Sequence, residues 1–150
     1  MPTITPFLWF DTQAEDAMHF YASIFKRSKV LSVSRSQGKV MSVSFELEGQ
    51  RFMGLNAGPQ FPFTEAVSFF VNCETQVEID ELWTKLSEGG APGRCGWLKD
   101  KFGLSWQIIP STLGPMLGDA DSAKSSRVLT AMLQMNKMDV AKLRQAYDGA

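Results

Sequence analysis

The sequence predicts an α+β fold made of two βαβββ modules followed by helices. Apolar and polar residues alternate along Val40–Leu47, which is the period of a strand with one buried face. Ala14–Phe25 instead carries apolar residues at helical spacing. After a linker at 57–64 that contains two prolines, the order of strand, helix and hairpin recurs about 61–62 residues further on.

Each element of the first module has its own local signal. A short aromatic strand at Thr3–Phe10 is followed by a turn and candidate helix cap at Asp11-Thr12. Glycine-containing turns at 37–39 and 48–50 divide the rest of the module into hairpin strands. The predicted strands are Val30–Val33, Val40–Leu47 and Arg51–Leu55.

The second half repeats this order and ends in helices. It has a strand at Ala66–Val71, a helix at Thr75–Leu86, a glycine-rich break at 88–93, strands at Trp97–Leu98 and Leu104–Ile109, and helices at Leu113–Leu117, Ser122–Met132 and Asp139–Tyr147. We expect one domain over residues 1–150, with module 1 at about 3–58, module 2 at about 64–110 and a helical tail at about 111–150. The methionine-rich tail packs on its own domain or supplies a dimer contact.

Composition excludes several classes of function. Fifteen basic and 16 acidic residues give a net charge of -1, so no nucleic-acid partner is expected. No apolar run is long enough for a membrane span, and the N-terminus lacks the features of a signal peptide. Two cysteines do not make a disulfide framework, so the reducing cytoplasm is the expected compartment.

Few residues have the spacing of a catalytic motif. His19 is the single histidine, and no Gly-x-Ser-x-Gly elbow or phosphate-binding glycine loop is present. Cys95 is a weak candidate nucleophile, because Arg94 and Lys99 lie nearby and cations lower a thiol pKa. An inert buried cysteine is the alternative that we favour, for Cys73 as well.

Several runs of residues resemble one family over nearly the whole chain, including the helical tail. These are Phe7–Asp11, Ala14–Ala17, Phe20-Tyr21, Phe52–Gly58, Phe63–Ala66 and Cys95–Pro110. They are similar to PhnB-like proteins, also labelled demethylubiquinone methyltransferase-type domains. That family lies within the glyoxalase/bleomycin resistance/dioxygenase (vicinal oxygen chelate) superfamily.

The resemblance implies a curved mixed sheet around a cavity and a homodimer. In metal-dependent members, side chains from the strands bind a divalent ion. The corresponding positions here are Thr5, Met53, Ala66 and Gln107. Of these only Gln107 is a possible ligand, and a divalent ion needs several. We therefore expect neither a metal nor another cofactor.

These considerations predict a ligand-binding site on the strands. Apolar walls are expected from Phe7, Trp9, Met53 and Phe70, and orienting hydrogen bonds from Asn56, Ser68 and Gln107. The predicted function is binding of a small aromatic or apolar molecule without a metal. One alternative is an enzyme of the same superfamily, a lyase, dioxygenase or methyltransferase acting on a quinone or electrophile. Another is a structural dimer whose cavity is filled by its own side chains.

Overall fold

The computed structural model describes all residues from 1 to 150, which divide into two compact units, Met1–Phe63 and Thr64–Ala150. Unit 1 contains β1 (Phe7–Phe10), α1 (Ala14–Ile24), β2 (Ser28–Ser36), β3 (Lys39–Leu47) and β4 (Gln50–Asn56). Unit 2 contains β5 (Ser68–Cys73), α2 (Gln76–Ser87), β6 (Ala91–Pro92), β7 (Trp97–Lys99), β8 (Ser105–Pro110), α3 (Leu113–Leu117), α4 (Ser122–Leu133) and α5 (Val140–Asp148). The predicted βαβββ order therefore occurs twice and is followed by helices, as expected.

Unit 1 is a mixed four-stranded sheet with strand order β1-β4-β3-β2. β1 runs parallel to β4, and the other neighbours are antiparallel. α1 covers one face of this sheet, where the ring of the fully buried Tyr21 lies 6.2 Å from that of Phe45. The alternation in β3 has the predicted result, because Val43, Phe45 and Leu47 are all buried.

Both hairpins of unit 1 close with two-residue loops. Gln37-Gly38 joins β2 to β3 and Glu48-Gly49 joins β3 to β4, and all four residues have positive φ. This conformation gives the backbone twist that neighbouring antiparallel strands need, and glycine adopts it without strain. The turn residues therefore fix the register that sends alternate β3 side chains toward α1.

Unit 2 has the corresponding sheet, with order β5-β8-β7-β6 and β5 parallel to β8. Trp106, Ile108 and Leu98 are buried on its helix-facing side. The buried carboxylate of Asp100 holds the turn from β7 to β8. It accepts hydrogen bonds from the backbone N–H groups of Phe102 and Leu104 and from Trp106 Nε1.

Hydrogen bonds and buried side chains fix the helical tail to the rest of unit 2. The N–H groups of Cys95 and Gly96 donate to the carbonyls of Met135 and Asn136, and Met135 and Met138 are buried. These two methionines thus pack within their own unit. No helix in the structure has the length and apolar character that crossing a membrane requires.

Most boundaries lie within two residues of the prediction, and the larger departures are in β1, β2 and β6. β2 runs over Ser28–Ser36, beyond the predicted Val30–Val33 at both ends. β1 begins at Phe7 rather than Thr3, although the Pro6 carbonyl still accepts from the Met53 N–H. β6 lies in the segment predicted as a glycine-rich break. A two-residue strand has too few side chains to show a period, so the pattern could not reveal it.

Candidate ligand-binding site

The face of the unit 1 sheet that points away from α1 carries three of the predicted wall residues. Leu8 and Phe10 are buried on the helix-facing side, so Phe7 and Trp9 point the other way. The parallel register places Met53 beside Phe7. We call this surface the unit 1 open face. Phe7 keeps 54% of its surface exposed, while Trp9 and Met53 are half-buried.

Serines lie beside these apolar residues on the same face. Ser44 pairs with Met53 across β3 and β4, and its side chain is buried. Its hydroxyl lies 2.6 Å from that of Ser32 on β2, so the two groups hydrogen-bond to each other. The unit 1 open face is therefore apolar near β1 and polar toward β2.

Trp9 is held in place by the segment that follows β4. Its indole Nε1–H donates to the Gly58 carbonyl at 2.9 Å. The ring of Phe61 meets the Trp9 ring edge-on, with 4.9 Å between the centroids. The indole therefore has a fixed orientation, which a binding surface needs.

Asn56, predicted with this set, lies on the opposite, helix-facing side. Its neighbour in the register is the buried Phe10. Its Oδ1 accepts the N–H of Ala14 at the start of α1, and its Nδ2 donates to the Val40 carbonyl. Both ends of the amide are thus used, and the helix cap expected from Asp11-Thr12 comes from β4 instead.

Unit 2 has an open face of its own, which carries the other predicted residues. The register places Phe70 beside Gln107 and Ser68 beside Ser105. Gln107 Nε2 donates to Ser68 Oγ at 2.9 Å. Phe70 is 54% exposed. The side-chain Oε1 of Gln107 accepts no hydrogen bond within the protein, so it is free to accept one from a ligand.

Trp97 and Lys99 of β7 extend the unit 2 open face. Trp97 pairs with Gln107, and Lys99 pairs with Ser105. Lys99 forms an ion pair with Glu65, which lowers the pKa of that exposed carboxyl. The hydroxyl of Ser105 is buried without a hydrogen-bond partner. The face thus combines aromatic rings with hydrogen-bonding groups.

The residues present do not fit a metal ion. The ligand positions that the resemblance implies are Thr5 and Met53 in unit 1 and Ala66 and Gln107 in unit 2. Among these only Gln107 carries a suitable ligand atom. Elsewhere the chain has no group of three or more histidine, cysteine or acidic side chains that could hold an ion.

Cys95 lies in a loop just before β7 and is half-buried, not buried as the favoured alternative expected. Its φ of 57° is unusual for a residue with a side chain, and its N–H bonds to the tail. Arg94 donates to the Leu133 carbonyl at 3.0 Å, and Lys99 pairs with Glu65. The structure therefore gives both charged neighbours other partners. Burial raises the pKa of the Cys73 thiol to about 11, so this cysteine is protonated at neutral pH.

Phe61 and Ser44 belong to the unit 1 open face but were absent from the predicted set. Phe61 lies in the proline-containing linker, which has no hydrophobic periodicity to indicate where its side chain points. Ser44 alternates with the apolar residues of β3, and that pattern alone could have placed it on this face.

Comparisons with known proteins agree with this architecture. The family model described as 3-demethylubiquinone-9 3-methyltransferase matches residues 2–109. A PhnB protein from Bacillus cereus, described as a candidate 3-demethylubiquinone-9 3-methyltransferase, is 39% identical and has a TM-score of 0.69. The match covers 73% of this chain and all of that one. No curated protein matches this chain.

Two more distant structures support the fold alone. A Pseudomonas aeruginosa protein is 19% identical, with a TM-score of 0.60 and coverage of 73% of this chain and 98% of its own. A glyoxylase/bleomycin resistance protein/dioxygenase domain from Frankia is 13% identical, with a TM-score of 0.50 and coverage of 73% and 92%.

The family match ends at residue 109, so the helical tail lies outside it. The resemblance was expected to include the tail, but the family match does not extend to it. Over the two βαβββ modules the match is complete. The chain therefore belongs to the PhnB-like, 3-demethylubiquinone-9 3-methyltransferase family, with the fold of the glyoxalase/bleomycin resistance group.

Proposed function

We propose that the protein binds a small aromatic or apolar molecule on its open sheet faces, without a metal ion. The observation that carries this proposal is the exposure of Phe7 and Phe70 on the sheet faces. Phe7 lies beside Met53, and Phe70 lies beside Gln107. Large apolar rings left in water on a sheet face are typical of binding surfaces. Their burial by a ligand is favourable by about 25 cal/mol for each Å².

The polar groups on these faces give the ligand an orientation. The free carbonyl oxygen of Gln107 accepts a hydrogen bond from a hydroxyl or N–H group. The Ser68 hydroxyl, already accepting from Gln107, donates in turn to a carbonyl or hydroxyl oxygen. A phenol or a small hydroxylated aromatic compound satisfies both the rings and these groups.

Isothermal titration calorimetry with 1-naphthol and with naphthalene tests the proposal. At the unit 1 open face we expect Trp9→Leu to weaken the binding of both compounds about tenfold, because a ring contact is lost. At the unit 2 open face we expect Gln107→Ala to weaken the binding of 1-naphthol about fivefold and that of naphthalene less than twofold, because only 1-naphthol has a hydrogen-bond donor.

Val67→Ala is the control, since Val67 is exposed and precedes β5. Treatment with EDTA should leave both dissociation constants within twofold, because no group on the faces needs an ion. Equal binding by the wild type and all variants, or no binding at all, would contradict the proposal.

The alternative is an enzyme, and the family description favours methyl transfer to a quinone precursor. Such a reaction needs a methyl donor such as S-adenosylmethionine. Neither strand-to-helix turn, at 11–13 or at 74–75, contains glycine, so neither resembles a loop that lets the backbone approach a cofactor. Calorimetric binding of S-adenosylmethionine would favour this alternative, and we expect none.

We further propose that the protein is a homodimer, as the resemblance implies. Val30, Leu31 and Met41 leave apolar surface on β2 and β3, and Leu129 and Leu133 do so on α4. Sedimentation equilibrium should give twice the 16.7 kDa chain mass. The two free cysteines agree with a reducing compartment, and we propose the cytoplasm.

A further inference from the structure

The segment 57–63, which follows β4, contacts both faces of β1. The rings of Phe61 and Trp9 lie 4.9 Å apart and nearly perpendicular. The rings of Phe63 and Phe10 make a similar contact at 5.3 Å. Trp9 and Phe10 are neighbours in a strand and point to opposite faces. The segment therefore passes from the unit 1 open face to the face that α1 covers.

The beginning of this segment is fixed. The Ala57 N–H donates to the Phe10 carbonyl at 2.9 Å, and the Gly58 N–H donates to the Asp11 carbonyl at 3.3 Å. The Gly58 carbonyl in turn accepts from Trp9 Nε1. Gly58 has a φ of 98°, which suits glycine alone, so the chain turns sharply at this point.

Phe61 is held much less firmly than its neighbours. Phe61 is 65% exposed, and its one ring contact is the T-shaped pair with Trp9. An edge-to-face pair is a weak interaction, so the ring is able to leave this position at room temperature. Its large exposed surface also gains more from contact with an apolar ligand than from water.

We propose that Phe61 is a movable aromatic cover that closes over a ligand bound at Trp9 and selects flat aromatic molecules. This inference rests on the proposed function. Pro59 and Pro62 flank Phe61 and restrict the backbone. Because Gly58 and Phe63 hold the two ends of this segment, the cover moves by rotation of the Phe61 side chain rather than of the backbone. Once the Phe61 ring has moved outward, a flat ring fits between it and the Trp9 ring, whereas a puckered ring makes poorer contact with both.

The contact itself is tested without any ligand. Labelling with 5-fluorotryptophan gives four ¹⁹F resonances for the four tryptophans, and Trp9→Phe identifies that of Trp9. We expect Phe61→Ala to shift the Trp9 resonance and to leave that of Trp106 in place. Val77→Ala is the control, because Val77 is exposed on α2 and has no place in either proposal. An unmoved Trp9 resonance in Phe61→Ala would overturn the inference.

Titration with 1-naphthol and with cyclohexanol then tests the selectivity. We expect Phe61→Ala to weaken 1-naphthol at least fivefold, Phe61→Leu two- to threefold, and either variant to change cyclohexanol less than twofold. Suppose that 1-naphthol shifts the Trp9 resonance equally in the wild type and in Phe61→Ala, with equal dissociation constants. Phe61 is then not a cover, and the proposed function stands. If 1-naphthol shifts no tryptophan resonance of the wild type, the proposed function fails, and this inference fails with it.

Discussion

Asp100 is the residue on which the β7–β8 turn most depends, because its buried carboxylate accepts three hydrogen bonds. In Asp100→Asn one oxygen becomes an amide N–H that faces another donor. Leaving a buried donor unsatisfied costs about 1–3 kcal/mol. We expect the free energy of unfolding to fall by about 2–3 kcal/mol in urea titrations. The exposed Asp11→Asn should change it by less than about 0.5 kcal/mol, and an equal effect of the two would contradict this role.

Alanine substitutions at two glycines distinguish the cost of backbone strain from the cost of a steric clash. Gly96 and Gly103 have similar φ values of 83° and 90°. A Cβ at Gly96 would lie 2.7 Å from Ile109 Cδ1, whereas one at Gly103 would meet nothing within 4 Å. We expect Gly103→Ala to cost about 1 kcal/mol and Gly96→Ala about 3 kcal/mol in thermal unfolding. Equal costs would show that the contact at Gly96 relaxes freely.

The thiol of Cys73 should resist alkylation in the folded protein. Burial is the main cause that raises its pKa to about 11, and Glu78 and Glu74 add to it. The thiolate is the reacting form, so at pH 8 only about 0.1% of this cysteine is reactive, against about a quarter of a free cysteine. In Cys95→Ser, we expect iodoacetamide to modify Cys73 more than 100-fold more slowly than after denaturation in urea. A similar rate in both states would contradict the assigned pKa.

At the scale of elements, Gln76 of α2 connects the tail to the second module. Its Nε2 donates to the Met138 carbonyl and to Asp80, and its Oε1 accepts the Val140 N–H at the start of α5. We expect Gln76→Ala to increase hydrogen exchange of the α5 amides about tenfold, because the N-terminal turn loses its partner. Exchange in α1 should stay unchanged.

Gln145→Ala provides the matched control for this prediction, because Gln145 is exposed and its side chain makes no hydrogen bond. Unchanged exchange in α5 of Gln76→Ala would show that the packing of Leu143 and Met138 holds the helix without this connection.

Most elements could be predicted from local patterns, because each depends on residues near in sequence. Alternation in β3, helical spacing in α1 and the caps at Asp121 and Asp139 all act within a few residues. The cap of α1 could not be predicted, since Asn56 is 42 residues away from the N–H that it accepts. Such a contact exists only once β4 is paired beside β1.

At the scale of the whole molecule, most residues of the two open faces could be predicted from the sequence. Phe61, the proposed cover of the unit 1 open face, could not. Side chains alternate between the two faces along a strand, so Phe7 shares a face with Trp9, and Ser68 shares a face with Phe70, whatever the tertiary fold. The same rule places Asn56 on the other side when it is applied from Met53. Phe61 lies in a loop, and its contact with Trp9 depends on the path of the backbone after Gly58.

The tail distinguishes this chain from the family model, which ends at residue 109. It buries Val128, Met138 and Leu143 within unit 2 and bonds to the loop that carries Cys95. These contacts give it a structural role in that unit.

The central claim is that the open sheet faces bind an aromatic ligand. The ¹⁹F spectrum of the 5-fluorotryptophan protein during titration with 1-naphthol tests it most directly. Trp9 and Trp97 lie on the open faces, whereas Trp106 is buried on the helix-facing side of its sheet. We predict saturable shifts of the Trp9 and Trp97 resonances and none for Trp106. Shifts confined to Trp106, or no saturable shift at all, would contradict the account.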